Sequence, residues 1–336
     1  MRWLNPVRAN SGYSSGFASN RSGRVLPVRF DGLGEVPGDW PRSAVTIGVF
    51  DGVHAGHRAI VERAREVASG QPVVAVTFDP HPIEVVRPGT HPLMLSSLDH
   101  RVRLLEQAGV DAVAVLPFTR ELSQLSAEEF TTDVLARRLH AMVVVVGTDF
   151  RFGHRAAGTV DTLRELGGTL GFIVDAVDLL GDDPVTWSST YVRQSVAEGD
   201  MVAARKVLMR PHRIEGVVVH GDHRGRDLGY PTANLDPIKH AAVPADGVYA
   251  GWLVRVSNGA ETALPAAVSI GTNPTFGGVG RRIEAYVLDR GDLDLYDEHV
   301  AFDFAERLRP TLRFDSLDEL LEQMAADVER TRELTS

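Results

Sequence analysis

His54 and His57 stand three residues apart in the run Gly48-Val49-Phe50-Asp51-Gly52-Val53-His54-Ala55-Gly56-His57. Glycines at 48, 52 and 56 let backbone approach a ligand closely or take positive φ. The run leaves a strand pattern and enters a helical one. The histidines therefore fall at a helix N-terminus, where unpaired N–H groups and the helix dipole attract phosphate. Both imidazoles can then reach one triphosphate and stabilise charge on a leaving pyrophosphate, which is what nucleotidyl transfer demands of a protein. An isolated H-x-x-H is more often a surface histidine plus a helix cap; the glycine-rich strand-to-helix turn reverses that preference. Farther on, Ser188-Ser189-Thr190-Tyr191-Val192-Arg193 opens another helix. Its hydroxyls suit an N-cap, and Arg193 beside them adds forked donors for a second phosphate clamp.

A different chemistry is written after Arg210. The strand pattern Gly216 to His220 runs into a loop holding Gly221, Gly225, Arg226 and Gly229, then into Pro231-Thr232-Ala233-Asn234. Such a loop can fold over phosphates and donate backbone N–H groups. Thr232 and Asn234 carry oxygens suited to hold Mg²⁺ directly or through its shell. No G-K-[ST] follows, so this is not a Walker loop, and no H-R-D or D-F-G set marks a protein kinase. Glu284 alternates with Ile283 and Ala285 in a strand pattern and so faces away from them. It is either a solvent-facing carboxylate or a base for a hydroxyl nucleophile.

The elements that must position these groups fall into two rhythms. Ala44 to Phe50, Pro72 to Phe78, Asp111 to Phe118, Ala141 to Gly147 and Phe172 to Leu180 are valine-rich runs separated by amphipathic segments. Runs apolar on both faces, alternating with helices, imply a doubly wound parallel sheet. Ser126 with Glu129 forms a capping box within it. After Pro211 strands follow one another without intervening helices, with Asn258-Gly259 as a turn signal. That pattern implies a small antiparallel barrel. A last helix, capped by Ser316 and Glu319, is expected to bury Leu317, Leu320, Leu321, Met324 and Val328. The division is a basic N-terminal extension over 1–43, disordered at its start, a first domain over 44–208 and a second over 209–336.

A chain of 336 residues accommodates two such domains, and 43% hydrophobic with 24% charged residues is the mixture of a globular protein. A net charge of −10 argues against a general nucleic-acid binder. No run has the length of a membrane span. With no cysteine, disulfides and thiolate chemistry are excluded; a reducing compartment is favoured and the cytoplasm is the expected location. Met1 to Phe30 holds five arginines and no acidic residue. That composition suits an organellar transit peptide, but a disordered extension or a start placed too far upstream is preferred.

Two more blocks narrow the reading. Thr77-Phe78-Asp79-Pro80-His81-Pro82 ends the second run, and Gly147-Thr148-Asp149-Phe150-Arg151-Phe152-Gly153 ends the fourth. Phe78, Phe150 and Phe152 offer apolar surface to a flat ring and equally suit a core. The pair H-x-G-H and S-S-T-x-x-R is similar to that of the HxGH nucleotidylyl transferases. With G-V-F-D-G-V-H-x-G-H, T-F-D-P-H-P and G-x-D-F-x-F-G in this order, the first half resembles the FMN adenylyltransferase module of prokaryotic FAD synthetases. The blocks G-R-x-L-G-Y-P-T-A-N, Val243 to Gly251, Ser269 to Gly277 and Ile283 to Asp289 resemble riboflavin kinase.

The resemblance, over about Ala44 to Leu334, implies a bifunctional enzyme that phosphorylates riboflavin to FMN and adenylylates FMN to FAD, with ATP and Mg²⁺. It implies that His54, His57 and Arg193 are catalytic, and that Gly48, Phe50, Asp51, Gly52, Ser188, Ser189 and Thr190 complete the first ATP site. Phe78, His81, Asp149, Phe150 and Phe152 would contact the flavin. In the second half Gly221, Gly225, Arg226, Gly229 and Pro231 would bind ATP, Thr232 and Asn234 the metal, and Glu284 would be the general base. No nucleic acid or membrane is an expected partner, and self-association is left open. Tyr230, His223 and Trp187 depart from the usual family residues without removing an assigned group. The rivals are one active half, a flavin-binding regulator without catalysis, and an adenylyltransferase for pantetheine phosphate or nicotinate mononucleotide. All assigned residues are present, and the last rival has no reason to carry the barrel.

Overall fold

The computed structural model describes residues 27–221, 230–257, 260–272 and 281–336. Strands Val28–Asp31 (β1), Ser43–Ile47 (β2), Val73–Asp79 (β3), Ala112–Pro117 (β4), Ala141–Gly147 (β5) and Ile173–Val177 (β6) form a parallel sheet ordered β1-β4-β3-β2-β5-β6. Helices Ala55–Val67 (α1), Pro82–Val86 (α2), Leu98–Ala108 (α3), Ala127–Phe130 (α4) and Val160–Leu170 (α5) connect them. Beyond α4 the chain continues as a π-helix over Thr131–Arg138.

Alternate residues of the central strands feed two apolar layers. Ala44, Ala75, Val113 and Val143 pack under α1 and α3. Val45, Val74, Ala112 and Val144 pack under Phe130, Leu135 and Leu163 on the other face. Burial on both faces is why these strands read as unbroken apolar runs. From β2 the chain winds outward to β3 and β4, then returns to β5 and β6 on the other side. The switch point lies between β2 and β5, where an open sheet leaves a crevice at the carboxyl ends. The expected doubly wound sheet is therefore present, with the His54 loop at its crevice.

The sheet begins earlier than the boundary at residue 44. β1 pairs with β4 from Val28↔Ala112 to Asp31↔Val115, and Phe30 is buried edge-on against Trp40. Four residues with a charge at two of them give no apolar run, so the pattern concealed this strand.

After β6 come a small hairpin, Gly181–Asp182 (β7) with Val185–Thr186 (β8), and helices Ser189–Glu198 (α6) and Met201–Leu208 (α7). The second unit is a closed antiparallel barrel ordered β10-β13-β12-β11-β14-β9. Its strands are His212–Val219 (β9), Thr232–Pro237 (β10), Gly247–Ser257 (β11), Ala260–Thr272 (β12), Arg281–Val287 (β13) and His299–Arg309 (β14). β11 and β12 pair as far as Ser257↔Ala260; the turn residues Asn258 and Gly259 lie outside the described residues. The apolar faces of α6 and α7 enter the barrel's own core, where Val192, Val196, Met201 and Leu208 join Ile214, Tyr249, Phe302 and Phe304.

The C-terminal helix, Leu317–Thr335 (α8), is capped by Ser316 as expected. Its fully buried residues are Asp327 and Thr331, whereas Leu317 is exposed and Leu320, Leu321, Met324 and Val328 are half-buried. The expected leucine stripe is thus only partly covered. The helix is clamped instead by Arg309, which bonds the Asp327 carboxylate at 2.7 and 3.0 Å. Such a pair holds register but adds little where desolvation offsets attraction.

Candidate active sites

The loop from Gly48 to His54 leaves β2 with positive φ at Phe50 (54°), Gly52 (78°) and Val53 (39°). Two non-glycine residues in that region cost about 1–3 kcal/mol each and persist only where the surroundings dictate them. The surroundings do so here through polar clamps on the loop backbone. Thr77 Oγ1 and Arg101 Nη1 both donate to the Val49 carbonyl, at 3.0 and 2.8 Å. Ser189 Oγ donates to Asp51 O at 2.9 Å, and Arg210 Nη2 to Gly52 O at 2.7 Å. Arg101 is itself 1% exposed.

The loop delivers His54 as the residue before α1 and His57 one turn in. Their rings stack with centroids 3.7 Å apart and planes 26° from parallel. Gly56 makes this possible, because a Cβ there would lie 3.1 Å from His54 Cε1. Nδ1 of both rings is buried with no partner among the described residues. Burial pushes His54 down to about 4, against a weaker upward pull from Asp51, with Arg193 and Arg210 pushing the same way as burial. Burial, His54 and Arg193 lower His57 as well. Both are neutral imidazoles near pH 7, each with nitrogen left for a ligand.

Asp51, 1% exposed, does not face the crevice. Its carboxylate accepts from Leu95 N, Ser96 N and Ser96 Oγ at 3.0–3.2 Å and from Arg193 Nη2 at 2.7 Å. Arg193 also donates Nε to Leu93 O at 2.7 Å. Two donors fixed this way hold the guanidinium while its remaining N–H groups stay available. Ser188 caps α6 by accepting from Tyr191 N, and Ser189 is committed to Asp51 O. Of the three expected hydroxyls, Thr190 alone is exposed. The Phe50 ring is also withdrawn from the crevice: it is buried below the loop, edge-on to His57 at 5.2 Å. What Phe50 offers a ligand is backbone, since its positive φ turns the ring inward. Gly48 lies against that ring, where a Cβ would meet Phe50 at 3.2 Å.

Beside the loop a cavity of about 1070 Å³ opens between the ends of β2, β3 and β5. Phe78, His81, Phe150 and Phe152, which the resemblance assigned to the flavin, line it together with Gly48. Phe150 stacks on Phe152 at 5.4 Å and 12°, and Phe78 meets Phe118 edge-on at 5.5 Å. Phe152 lies mostly in the core beneath Phe150. His81 Nδ1 accepts from Ile83 N at 3.1 Å, so the neutral ring carries its proton on Nε2. Asp149 is the exception. It is exposed and lines an adjoining cleft of about 390 Å³ with Asp161 and Arg164, and Phe150 and Arg151 line both spaces. A Cβ at Gly147 would lie 3.0 Å from Asp149 Oδ1, so the carboxylate folds back over the end of β5. The sequence reading missed Phe118, Arg120 and Arg151 in the cavity wall; a phenylalanine or arginine at a strand end carries no signal by itself.

In the barrel, Thr232 and Asn234 lie in strand β10. Asn234 stands directly opposite Glu284, and Thr232 opposite Tyr286. Ile283 and Ala285 point into the barrel core at 1% exposure each, so Glu284 faces the other side with Asn234, as alternation requires. Glu284 is half-buried, with Arg282 Nη1 4.0 Å from Oε1. A Cβ at Gly221 would fall 2.3 Å from Asn234 Nδ2, so any larger residue there would displace the Asn234 amide. Pro231 leads into β10. Gly225, Arg226 and Gly229 lie outside the described residues, as does His223. Among the described residues no cluster of three or more His, Asp or Glu could hold a metal. A hydroxyl and an amide oxygen two residues apart on one strand face instead fit a magnesium ion that keeps waters and takes phosphate oxygens.

Residues 36–191 match the FAD synthetase family and residues 208–335 the riboflavin kinase family. The chain is 38% identical to the bifunctional riboflavin kinase/FMN adenylyltransferase of Escherichia coli (strain K12), over 86% of this chain and 91% of that one. It is 40% identical to the protein of the same description from Pseudomonas fluorescens, over 87% and 92%. A crystal structure of a macrolide-efflux protein from Streptococcus pneumoniae superposes with a TM-score of 0.80 at 32% identity, covering 92% of this chain and 99% of that one. Among the described residues no helix is long and apolar enough to cross a membrane.

Proposed function

Because the chain belongs to the bifunctional riboflavin kinase/FMN adenylyltransferase family, we propose that it converts riboflavin to FMN at the outer face of the barrel and FMN to FAD at the crevice of the parallel sheet. The observation that supports this reading is an aromatic cavity of flavin-accepting size whose wall includes Gly48 and Val49, at the start of the loop that carries the His54–His57 stack and that Arg193 grips through Asp51.

In the crevice an FMN phosphate oxygen attacks the α-phosphorus of ATP. A new O–P bond forms as the bond to the β-phosphate oxygen breaks, and pyrophosphate leaves with the electron pair. FMN phosphate is ionised near pH 7, so no base is needed. His54 and His57 present N–H groups to the phosphates, and the N-terminus of α1 adds its own. Arg193 clamps phosphate with the donors that Asp51 and Leu93 leave free. Phe78 and Phe150 hold the flavin ring, and His81 Nε2–H reaches its polar edge.

On the barrel the 5′-hydroxyl of riboflavin gives its proton to Glu284 as its oxygen attacks the γ-phosphorus of ATP, and ADP leaves. Thr232 Oγ1 and Asn234 Oδ1 are the groups that would hold Mg²⁺. When bound, the ion neutralises charge on the phosphates. The protein's part is to place the Glu284 carboxylate beside the metal-holding amide, and the Asn234↔Glu284 register supports this reading. The reactions occur in the cytoplasm, where riboflavin and ATP are supplied and the cysteine-free chain needs no oxidising environment.

The test is a chromatographic time course with riboflavin, ATP and Mg²⁺, run on the parent chain, His57→Ala and Glu284→Ala. The parent should form FMN and then FAD. His57→Ala should stop at FMN, and Glu284→Ala should make FAD only from added FMN. A folded variant that lost both steps would overturn the two-site assignment.

A further inference from the structure

A buried carboxylate of the barrel reaches into the first unit. Glu215 on β9 is 6% exposed. It accepts from Ser97 Oγ and from Arg103 Nη2, the latter at 2.6 Å. Ser97 and Arg103 both belong to the other unit: Ser97 caps α3 by accepting from His100 N at 3.0 Å, and Arg103 lies one turn on. Nothing in the kinase chemistry uses Glu215. β9 alternates, and Glu215 pairs with Ala301 of β14, not with β10 or β13.

The residues before Ser97 form a strap between the two units. On the barrel side, Met94 N donates to His240 O at 2.7 Å and Met94 O accepts from Ala242 N at 2.8 Å. On the crevice side, Leu95 N, Ser96 N and Ser96 Oγ end on Asp51, whose other partner is Arg193. Ser96 Oγ also accepts from Gly52 N at 3.1 Å, in the loop that carries His54. Leu93 O accepts directly from Arg193 Nε. From Glu215 to the Arg193 guanidinium there are thus three side-chain links, Glu215–Ser97, Ser96–Asp51 and Asp51–Arg193, with the Ser96–Ser97 peptide between the first and the second.

We propose that Glu215 of the barrel is a positioning residue for adenylyl transfer. By fixing Ser97 it sets where the strap runs. The strap in turn sets the Asp51 carboxylate and the pose in which Arg193 meets phosphate. This rests on the reading of Arg193 as the clamp. Glu215 touches no substrate; it acts through Ser97, Ser96 and Asp51. Because the strap is paired to the barrel on one side and to the crevice on the other, a slip at Glu215 is passed on and not absorbed. One unit therefore completes the working geometry of the other.

The experiment is steady-state kinetics of both reactions on the full chain for Glu215→Gln, Ser97→Ala, Ser97→Thr and Arg193→Lys. Glu215→Gln and Ser97→Ala should raise KM for ATP in adenylyl transfer about fivefold or more, within the range for residues coupled at a distance, and leave riboflavin phosphorylation within about twofold. Ser97→Thr keeps the hydroxyl and should restore the parent KM. Equal losses in both reactions, or none in either, would overturn the proposal, since a merely structural role in β9 would weaken the barrel's own reaction first. Arg193→Lys separates the premises. If it leaves adenylyl transfer at the parent level, the clamp reading fails. If it impairs transfer while Glu215→Gln does not, the relay alone fails.

Discussion

His54 lies flat against His57, ring over ring at 3.7 Å, in the space that the absent side chain of Gly56 leaves open. The glycine of the motif is thus a packing requirement of the histidines and not only a concession to backbone conformation. Gly56→Ala should push the His54 ring off its partner, because the new Cβ would sit 3.1 Å from Cε1. Adenylyl transfer should fall by about tenfold or more, toward the roughly 10²–10³ lost with one charge-stabilising donor, while FMN formation continues. Kinetics of the two steps on one preparation measures both.

Asn234→Ala should raise the Mg²⁺ concentration needed for riboflavin phosphorylation and leave adenylyl transfer near the parent rate. Gly221→Ala should reproduce part of that effect, since its Cβ would displace the Asn234 amide. A magnesium titration of the kinase rate distinguishes these from a loss of Glu284, which should lower the rate at every magnesium concentration by about 10²–10⁴.

Phe78→Ala should weaken FMN binding in the crevice and raise its KM about tenfold, as loss of one aromatic contact and its buried area would do. The KM of riboflavin for phosphorylation should not change, because Phe78 lies in the sheet domain and not on the barrel. Fluorescence quenching of FMN by the inactive His57→Ala protein gives the same comparison without turnover.

Stability should fall in mild acid. His54, His100 and His212 are buried, and burial lowers them from 6.5 to about 4, about 2 and about 4. Arg210 also pushes each of them down. Each binds its proton more readily unfolded than folded, so its contribution is intact above pH 6.5 and is lost as pH falls toward the folded value. Between those limits each contributes up to roughly 1.4 kcal/mol per pH unit. The urea midpoint should therefore drop clearly from pH 7.5 to pH 5, where ordinary carboxylates are still ionised. An unchanged midpoint would mean that these rings bind protons in the folded state.

Much of this was legible in the chain because it is local. A valine run buried on both faces, a glycine-rich turn into a helix and a serine three residues before a glutamate each announce themselves within ten residues. So His54, His57 and Arg193 could be picked out, whereas Glu284 stood out only through the family resemblance of its block. What holds them could not. Arg101 reads as one arginine in an amphipathic helix, yet it is buried against the Val49 carbonyl. Asp51 reads as a ligand contact, yet it is spent on the strap and Arg193. Asp149 sits in the motif but lines the cleft that adjoins the aromatic cavity. These roles depend on which segments the topology brings together, and spacing along one sequence does not carry that information.

The short strand upstream of the first motif carries a practical consequence. Val28–Asp31 pairs with β4, and Phe30 and Trp40 close the layer above it. A proteolytic product or shortened polypeptide beginning after Asp31 would keep both catalytic motif sets. It would also lay bare a row of unpaired amides and carbonyls beside the apolar residues Ala112 to Val115. Such a margin templates pairing with other molecules. A four-residue edge bearing Arg29 and Asp31 is a poorer template than the longer apolar strand it covers, and Arg29 is tied to Asp31 and Asp99.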